Sequence, residues 1–367
     1  VKPLRVLVVS TSYPRSADDW RGRFIADLVA ALPSEDTNAR LWAPPGPLPT
    51  GAEAATTPEE RAWLDRLATA GGIASRLRAG PLAALPAAFG LLRRLRQVYR
   101  RETFDVVHVN WLQNAIPLIG TRHPAVVGVL GSDFGLLRLP GMAALLKSVL
   151  AGRRAILAPN APWMGPQLQA LFGSVATVRP LPFGVAPEWF SAERRPAPQG
   201  APWLAVTRVT KAKIGDLFEW GAGLFDARRP LVLLGPMQED LSLPSWVDYR
   251  GATHPQALRD EWFPQAAGLV TLSRHDEGRP QVMIEAMAAG LPIIASALPA
   301  HGDLVDDASG RLASSREALA SALDDLSDPA RNAEASLAAR DKARREIGDW
   351  RQAAARFRAA YRDLLSA

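Results

Sequence analysis

The sequence predicts an α/β protein of two doubly wound parallel-sheet domains, and three features predict it. Length is the first: 367 residues suit two domains of ordinary size. The second is a series of short, nearly all-apolar runs separated by longer helical stretches. Strands covered by helices on both faces read this way, whereas a sheet with one wet face alternates apolar and polar residues. The third is a Pro-rich interruption, SAERRPAPQGAP at Ser191–Pro202, after which the strand–helix alternation begins again.

In chain order, the apolar runs place strands at Leu4–Ser10, Asp105–Asn110, Ala125–Leu130 and Ala155–Ala158. They recur at Trp203–Thr207, Leu231–Leu234, Gly268–Leu272 and Pro292–Ala295. The predicted domains are 1–190 and 200–345, followed by a helical segment, 346–367, that crosses back to the first domain. From about Ser315 onward the chain is rich in Ala, Arg and Asp and reads as helical. No repeat of solenoid period and no long low-complexity tract interrupts this pattern.

Composition removes several function classes. The hydrophobic fraction of 48% supports packed cores in both halves. No apolar window is long enough for a membrane span, and Val1–Ser10 reads as a strand rather than a signal peptide. With no cysteine, disulfides, thiolate metal sites and a cysteine nucleophile are excluded. A formal charge of +6 favours anionic partners such as nucleotide phosphates or anionic lipid. There is no G-x-x-x-x-G-K-[ST] loop. The lone G-x-G, Gly221–Gly223, lacks the third glycine and the position of a dinucleotide fingerprint. No H-E-x-x-H or D-x-D occurs and the five histidines are scattered, so no metal site is expected. Trp203, Trp246 and Trp262 read as core residues, and nucleic acid is not an expected partner.

The most informative stretch is SRHDEGRPQVMIEAMAAGLPIIAS, Ser273–Ser296. Pro280 suits the first turn of a helix, where its missing N–H has no partner to lose. Gly290 suits the left-handed residue after the helix end. Glu277 then lies on the loop before the helix and Glu285 within it, among apolar neighbours that imply a largely buried helix and a carboxylate needing a partner. A strand–loop–helix–strand unit points its helix N-terminus at the sheet edge where open α/β sheets bind ligands. Backbone groups of Gly278, Arg279, Pro280 and Gln281 would face a diphosphate or a polar sugar there. Glu277 could accept from sugar hydroxyls and Glu285 from ribose hydroxyls. Arg208 directly follows a predicted strand, and with Lys213 it could neutralise phosphate, Arg as a fork and Lys as a point charge.

This segment resembles the E-x7-E signature of the retaining glycosyltransferases of GT-B fold, family GT4, whose usual form approximates S-x-x-E-G-[FR]-[GP]-x-x-x-x-E-A-M-A-x-G-x-P. Weaker similarities run through Ser10–Leu32, with Tyr13, Pro14, Gly22 and Phe24, and through Phe104–Trp111, Val127–Asp133 and Leu181–Val185. Trp203–Gly215 is similar to the family's diphosphate-binding stretch, with Arg208 and Lys213 in its spacing. The resemblance implies two domains facing across a cleft, with acceptor on the first and a nucleotide-sugar donor, UDP- or GDP-linked or related, on the second. It implies sugar transfer with retention by a front-side displacement in which the donor phosphate takes the acceptor proton, and no metal cofactor. The expected catalytic residues are Glu277, Arg208, Lys213 and Asp133. The expected donor-binding residues are Glu285, Gly278, Arg279, Pro280, Gln281 and Gly22, the last giving backbone access to the diphosphate.

The chain departs from the family where Leu130 replaces a common His before Gly-Ser-Asp, leaving Asp133 as the polar candidate facing the cleft. His108, inside an apolar strand, reads as a core residue, and His275 as a lesser sugar contact. Residues 73–101 mix Leu, Ala and Phe with seven arginines, including Arg76, Arg78, Arg93 and Arg100. Pro81 and Pro86 break the start, and the rest reads as a basic amphipathic helix able to meet an anionic membrane carrying a lipid-linked acceptor. The expected location is cytoplasmic, with peripheral contact at the membrane face, and the expected acceptor a glycan, a lipid-linked sugar or a small molecule. Two rivals stay open: a nucleotide-sugar epimerase of the same fold, and a degenerate homologue that binds nucleotide as a scaffold.

Overall fold

The computed structural model describes residues 2–16, 19–72, 81–194, 200–275 and 277–366. The chain forms two compact units, one of Val1–Phe183 with Trp350–Ala367, the other of Gly184–Asp349. The predicted boundary at Ser191–Pro202 therefore falls inside the second unit. Arg194 fastens the near end of that run to this unit by donating to the Ala266 and Ala267 carbonyls and to Asn332. Residues 195–199 lie outside the described residues.

The first unit holds a seven-stranded sheet in the order β3-β2-β1-β4-β5-β6-β7. Its strands are β1 Leu4–Val9, β2 Thr37–Trp42, β3 Ala52–Ala54, β4 Val106–Asn110, β5 Ala125–Val129, β6 Ala155–Pro159 and β7 Thr177–Val178, all paired in parallel. Every residue of β4, β5 and β6 is buried, as central strands covered on both faces must be. The main core cluster joins strand residues such as Val107, Val127 and Leu157 to Leu95, Val98 and Tyr99 of the helix Pro81–Arg101 and to Phe172. That helix runs through Pro86 rather than starting after it. Pro86 is exposed, so the loss is one hydrogen bond on the outer face, which the packed inner face outweighs.

The helix Trp350–Ser366 packs on β5, β6 and the helix Arg23–Ala31 within this unit. Phe357 stacks on His108 with ring centroids 4.8 Å apart, and Tyr361 Oη lies 2.7 Å from His108 Nδ1. His108 is thus a packed core residue, and burial drives its pKa down to about 3.

The second unit holds a six-stranded sheet in the order β10-β9-β8-β11-β12-β13. Its strands are β8 Trp203–Val206, β9 Leu231–Leu234, β10 Val247–Gly251, β11 Gly268–Thr271, β12 Ile293–Ser296 and β13 Gly310–Ala313, again all parallel. Trp203 is buried, Trp246 stacks on Phe225 at 5.8 Å, and Trp262 packs against the core formed around Leu269 and Ile293. The helical tail is three α-helices, Arg316–Ser327, Pro329–Lys342 and Trp350–Ser366, the second continued by a π-helical turn at Ala343–Ile347. Asp328 caps the second through the amides of Ala330 and Arg331, with Pro329 at its first position.

Each sheet reverses its direction of growth once. In the first unit the chain grows from β1 to β3 on one side and resumes at β4 on the other, so the reversal lies between β1 and β4. In the second it lies between β8 and β11. The crevice outside the C-terminal strand ends at such a reversal is where open α/β sheets take ligands.

Candidate functional site

The β8/β11 reversal gathers the charged residues singled out in the second half of the sequence. After β8 the chain passes Arg208 and enters the short helix Lys211–Ile214, capped by the Thr210 hydroxyl, which accepts from the Lys213 amide. The turn then closes on Gly215, at φ +55°. A Cβ there would lie 2.0 Å from the Leu272 carbonyl oxygen, so only glycine lets this turn rest on the end of β11. Two backbone bonds seal the contact: Asp216 N–H donates to Leu272 O at 3.0 Å and Arg274 N–H to Ala212 O at 2.9 Å. Lys213 is thereby carried onto the β11 loop, where its ammonium donates to Glu277 Oε1.

The Lys213–Glu277 pair is sheltered, with side chains 13% and 16% exposed. Burial lowers the Lys213 pKa from its ordinary value, Glu277 opposes that shift, and the Arg208 charge adds to it. An ammonium so placed is poorly hydrated and has a second cation close by, so an arriving dianion meets a strong local field. Arg208 also approaches Gln238, with Nη1 3.5 Å from Oε1.

A buried hydrogen-bond chain supports the acidic loop, and the sequence reading missed it. Ser273 Oγ accepts from the His275 amide, and Ser273 O accepts from Ser296 Oγ at 2.7 Å. His301 Nδ1 lies 2.9 Å from Ser296 O and 3.1 Å from Ser296 Oγ. Donation to the carbonyl puts the proton on Nδ1 and leaves Nε2 as a buried acceptor. Burial lowers the His301 pKa, while the Ser296 backbone and Glu277 pull it upward. The available signal was position: His301 comes five residues after the end of β12, at the same sheet edge.

The helix after the acidic loop is Gln281–Ala288, so Pro280 stands at its N-cap rather than at its first helical position. Met283, Ile284 and Ala286–Ala288 are buried and Glu285 is half-buried. Gly290 follows at φ +81°, the left-handed residue expected there. Gly278 and Pro280 are buried, Arg279 is half-buried, and the Gln281 side chain donates to Gly184 O at 3.3 Å. Gln281 thus holds the incoming chain within this unit.

The two remaining residues, Asp133 and Gly22, belong to the first unit. Asp133 does not present an open carboxylate. It is 2% exposed, and its oxygens accept the backbone amides of Leu112, Leu130 and Gly131 at 2.9, 2.9 and 3.0 Å. Burial raises its pKa, and these amides pull the other way. Its role is to clamp the loops after β4 and β5. Gly22, at φ +66°, starts the helix Arg23–Ala31 against the Ser12 backbone, 2.6 Å from where a Cβ would stand. Among the described residues no group of three or more His, Asp or Glu side chains is arranged to hold a metal ion.

With two parallel sheets and these reversals in place, the chain is recognised as a GT-B fold. It is similar to sucrose-phosphate synthase of Thermosynechococcus elongatus, with a TM-score of 0.69 at 16% identity over 99% of both chains. It is similar to the trehalose-6-phosphate synthase OtsA, with a TM-score of 0.70 at 13% identity over 98% of this chain and 99% of that one. It also resembles Anabaena HepE, crystallised with UDP and glucose, with a TM-score of 0.63 at 13% identity over 97% of this chain and 99% of that one. Residues 227–328, which include Glu277 and Glu285, match the family model Glycosyl transferases group 1, in line with the resemblance drawn from the acidic block. No curated protein matches by sequence.

Proposed function

We propose that the chain is a metal-independent, retaining glycosyltransferase of the GT4 type, moving a sugar from a UDP-, GDP- or related nucleotide-diphosphate donor to a glycan, lipid-linked or small-molecule acceptor. The observation that carries this reading is the convergence of Lys213 and Glu277 at the β8/β11 reversal, with Arg208 beside them and Glu285 on the helix that follows. The HepE complexes with UDP and with UDP-glucose support a nucleotide-sugar donor.

The chemistry asks little covalent work of the protein. The bond from the anomeric carbon to the diphosphate breaks, the acceptor hydroxyl adds on the same face, and its proton passes to the leaving phosphate oxygen. Negative charge grows on the diphosphate as this happens. Lys213 and Arg208, in a sheltered edge, stabilise that charge more than water would. Glu277 neutralises Lys213 while the site is free and accepts from sugar hydroxyls once phosphate takes the ammonium. Glu285 accepts from the ribose.

For the acceptor side, the outward face of the helix Pro81–Arg101 supports membrane contact. Leu85 and Phe89 are 60% and 71% exposed there, about two turns and one turn before the exposed Arg93 and ahead of the exposed Arg100. Apolar tips beside cations suit an anionic lipid surface. Arg76 and Arg78 lie outside the described residues. Sedimentation with anionic vesicles at low salt is the expected result, and failure to sediment removes this part of the proposal. Among the described residues no helix is long and apolar enough to cross a membrane.

The donor reading is tested by thermal-shift titration with UDP, GDP, ADP and their sugars, followed by donor hydrolysis or transfer with wild type, Glu277→Ala and Lys213→Ala. One nucleotide series should raise the melting temperature, and both variants should lose turnover. Equal turnover in all three overturns the site, and nucleotide binding without any turnover favours the scaffold alternative.

A further inference from the structure

The first unit has its own reversal point, between β1 and β4, and what stands there is aromatic. Trp111 follows β4 directly and is the one non-glycine residue with a positive φ among the described residues, at φ +69°. For a bulky side chain this is a disfavoured backbone state that persists only where its surroundings impose it. They do so here. Trp111 N–H donates to Gly128 O at 3.0 Å, Trp111 O accepts from the Asn114 amide at 3.1 Å, and the next amide, Leu112, is held by the buried Asp133 carboxylate. The ring is half-buried and meets Phe24 edge-on at 6.3 Å, while Phe24 stacks on the buried Phe183 at 5.4 Å. Phe24 opens the helix after β1 just past Gly22, so both rings sit at the C-terminal ends of the adjacent strands β1 and β4.

From this geometry we infer that Trp111, backed by Phe24, is a stacking platform for an uncharged sugar ring of the acceptor. The inference rests on the transferase reading above and deepens it by naming the acceptor chemistry. The reasoning is that the fold puts a ligand crevice at β1/β4, and that strain held at a crevice points to function rather than packing. The C–H face of a pyranose matches an indole face, which offers a broad apolar surface with a negative quadrupole. The nearby carboxylate, Asp133, is taken up by three amides, so the platform does not present it to a ligand. What remains to meet a ligand is the aromatic face, whose negative quadrupole disfavours a phosphate or a carboxylate and favours the C–H face of a neutral ring.

Saturation-transfer NMR tests this with the methyl glycosides of glucose, galactose, mannose and N-acetylglucosamine, using wild type, Trp111→Phe and Trp111→Leu. UDP and GDP binding and melting temperatures are recorded on the same samples. At least one glycoside should receive transfer at its ring C–H protons from wild type and, more weakly, from Trp111→Phe. Trp111→Leu, which keeps apolar bulk without a π face, should bind that glycoside about tenfold more weakly, with nucleotide binding and melting unchanged. The inference is overturned if no glycoside receives transfer, if Trp111→Leu matches wild type, or if citronellyl phosphate competes for the ring while no sugar does. Loss of nucleotide binding in wild type would instead break the donor reading and leave the Trp111 response to be scored separately.

Discussion

The two sheets reverse in the same way and carry opposite chemistry at the reversal. At β8/β11 the second unit presents a sheltered ammonium and carboxylate, with a second cation on the same loop. At β1/β4 the first unit presents two aromatic rings, and the buried Asp133 carboxylate nearby is occupied by amides. On the reading proposed above, the architecture supplies a crevice in each unit and the loops decide its ligand. In both units the loop conformation depends on one close approach or clamp: Gly215 against Leu272 in the second, Asp133 against three amides in the first.

The sharpest way to break this contrast is Lys213→Ala. If the second unit carries the leaving-group charge, turnover should fall by about 10²–10³-fold while the Trp111 response to glycosides stays intact, as steady-state kinetics and NMR would read. A fall in both would mean the units do not divide the work. Asp133→Ala comes next. It leaves three amides unpaired, those of Leu112 and Gly131 buried and that of Leu130 half-buried, and a loss of about 3 kcal/mol is expected in urea unfolding, with the glycoside response lost and nucleotide affinity kept in whatever fraction stays folded.

Gly215→Ala asks the same question of the second unit. A Cβ 2.0 Å from a carbonyl oxygen, at a φ that alanine disfavours, should cost about 2 kcal/mol and weaken nucleotide binding without touching the first unit. The smallest effect is acid sensitivity of the first unit through His108. Its pKa is about 3 in the folded chain against 6.5 ordinarily, so between those values the unfolded chain binds more protons and stability falls as pH is lowered. The slope is at most about 1.4 kcal/mol per pH unit, and His108→Gln should flatten it in urea titrations compared at neutral pH and about pH 5.

Much of the fold is legible in the residues, for a physical reason. The apolar runs mark β1, β4, β5, β6, β8, β9, β11 and β12, which form the centres of the two sheets, where both faces are covered. The outer strands give no such run. Asp248 and Arg250 of β10 and Asn38 and Arg40 of β2 are exposed or half-exposed, because an edge has only part of its surface covered. Glu277, Lys213 and Gly290 were legible because spacing and helix punctuation carry them. Asp133 was not, since a loop carboxylate looks the same whether it faces water or amides. Trp111 was not, since its backbone angle is imposed by Asp133 and Gly128 from other segments. Proline content could not report that Arg194 ties the start of the Pro-rich run to Ala266, Ala267 and Asn332, because those partners lie far along the chain.

The return of Trp350–Ser366 to the first unit sets an order of assembly. On the ribosome, β5 and β6 emerge long before the helix that will cover them, and the whole of Gly184–Asp349 is made in between. The middle-encoded body can therefore finish first, while the body begun earliest waits with an apolar flank open to chaperones or to wrong partners. Premature termination shortly after Gly348 would accordingly injure the older half of the molecule and spare the newer.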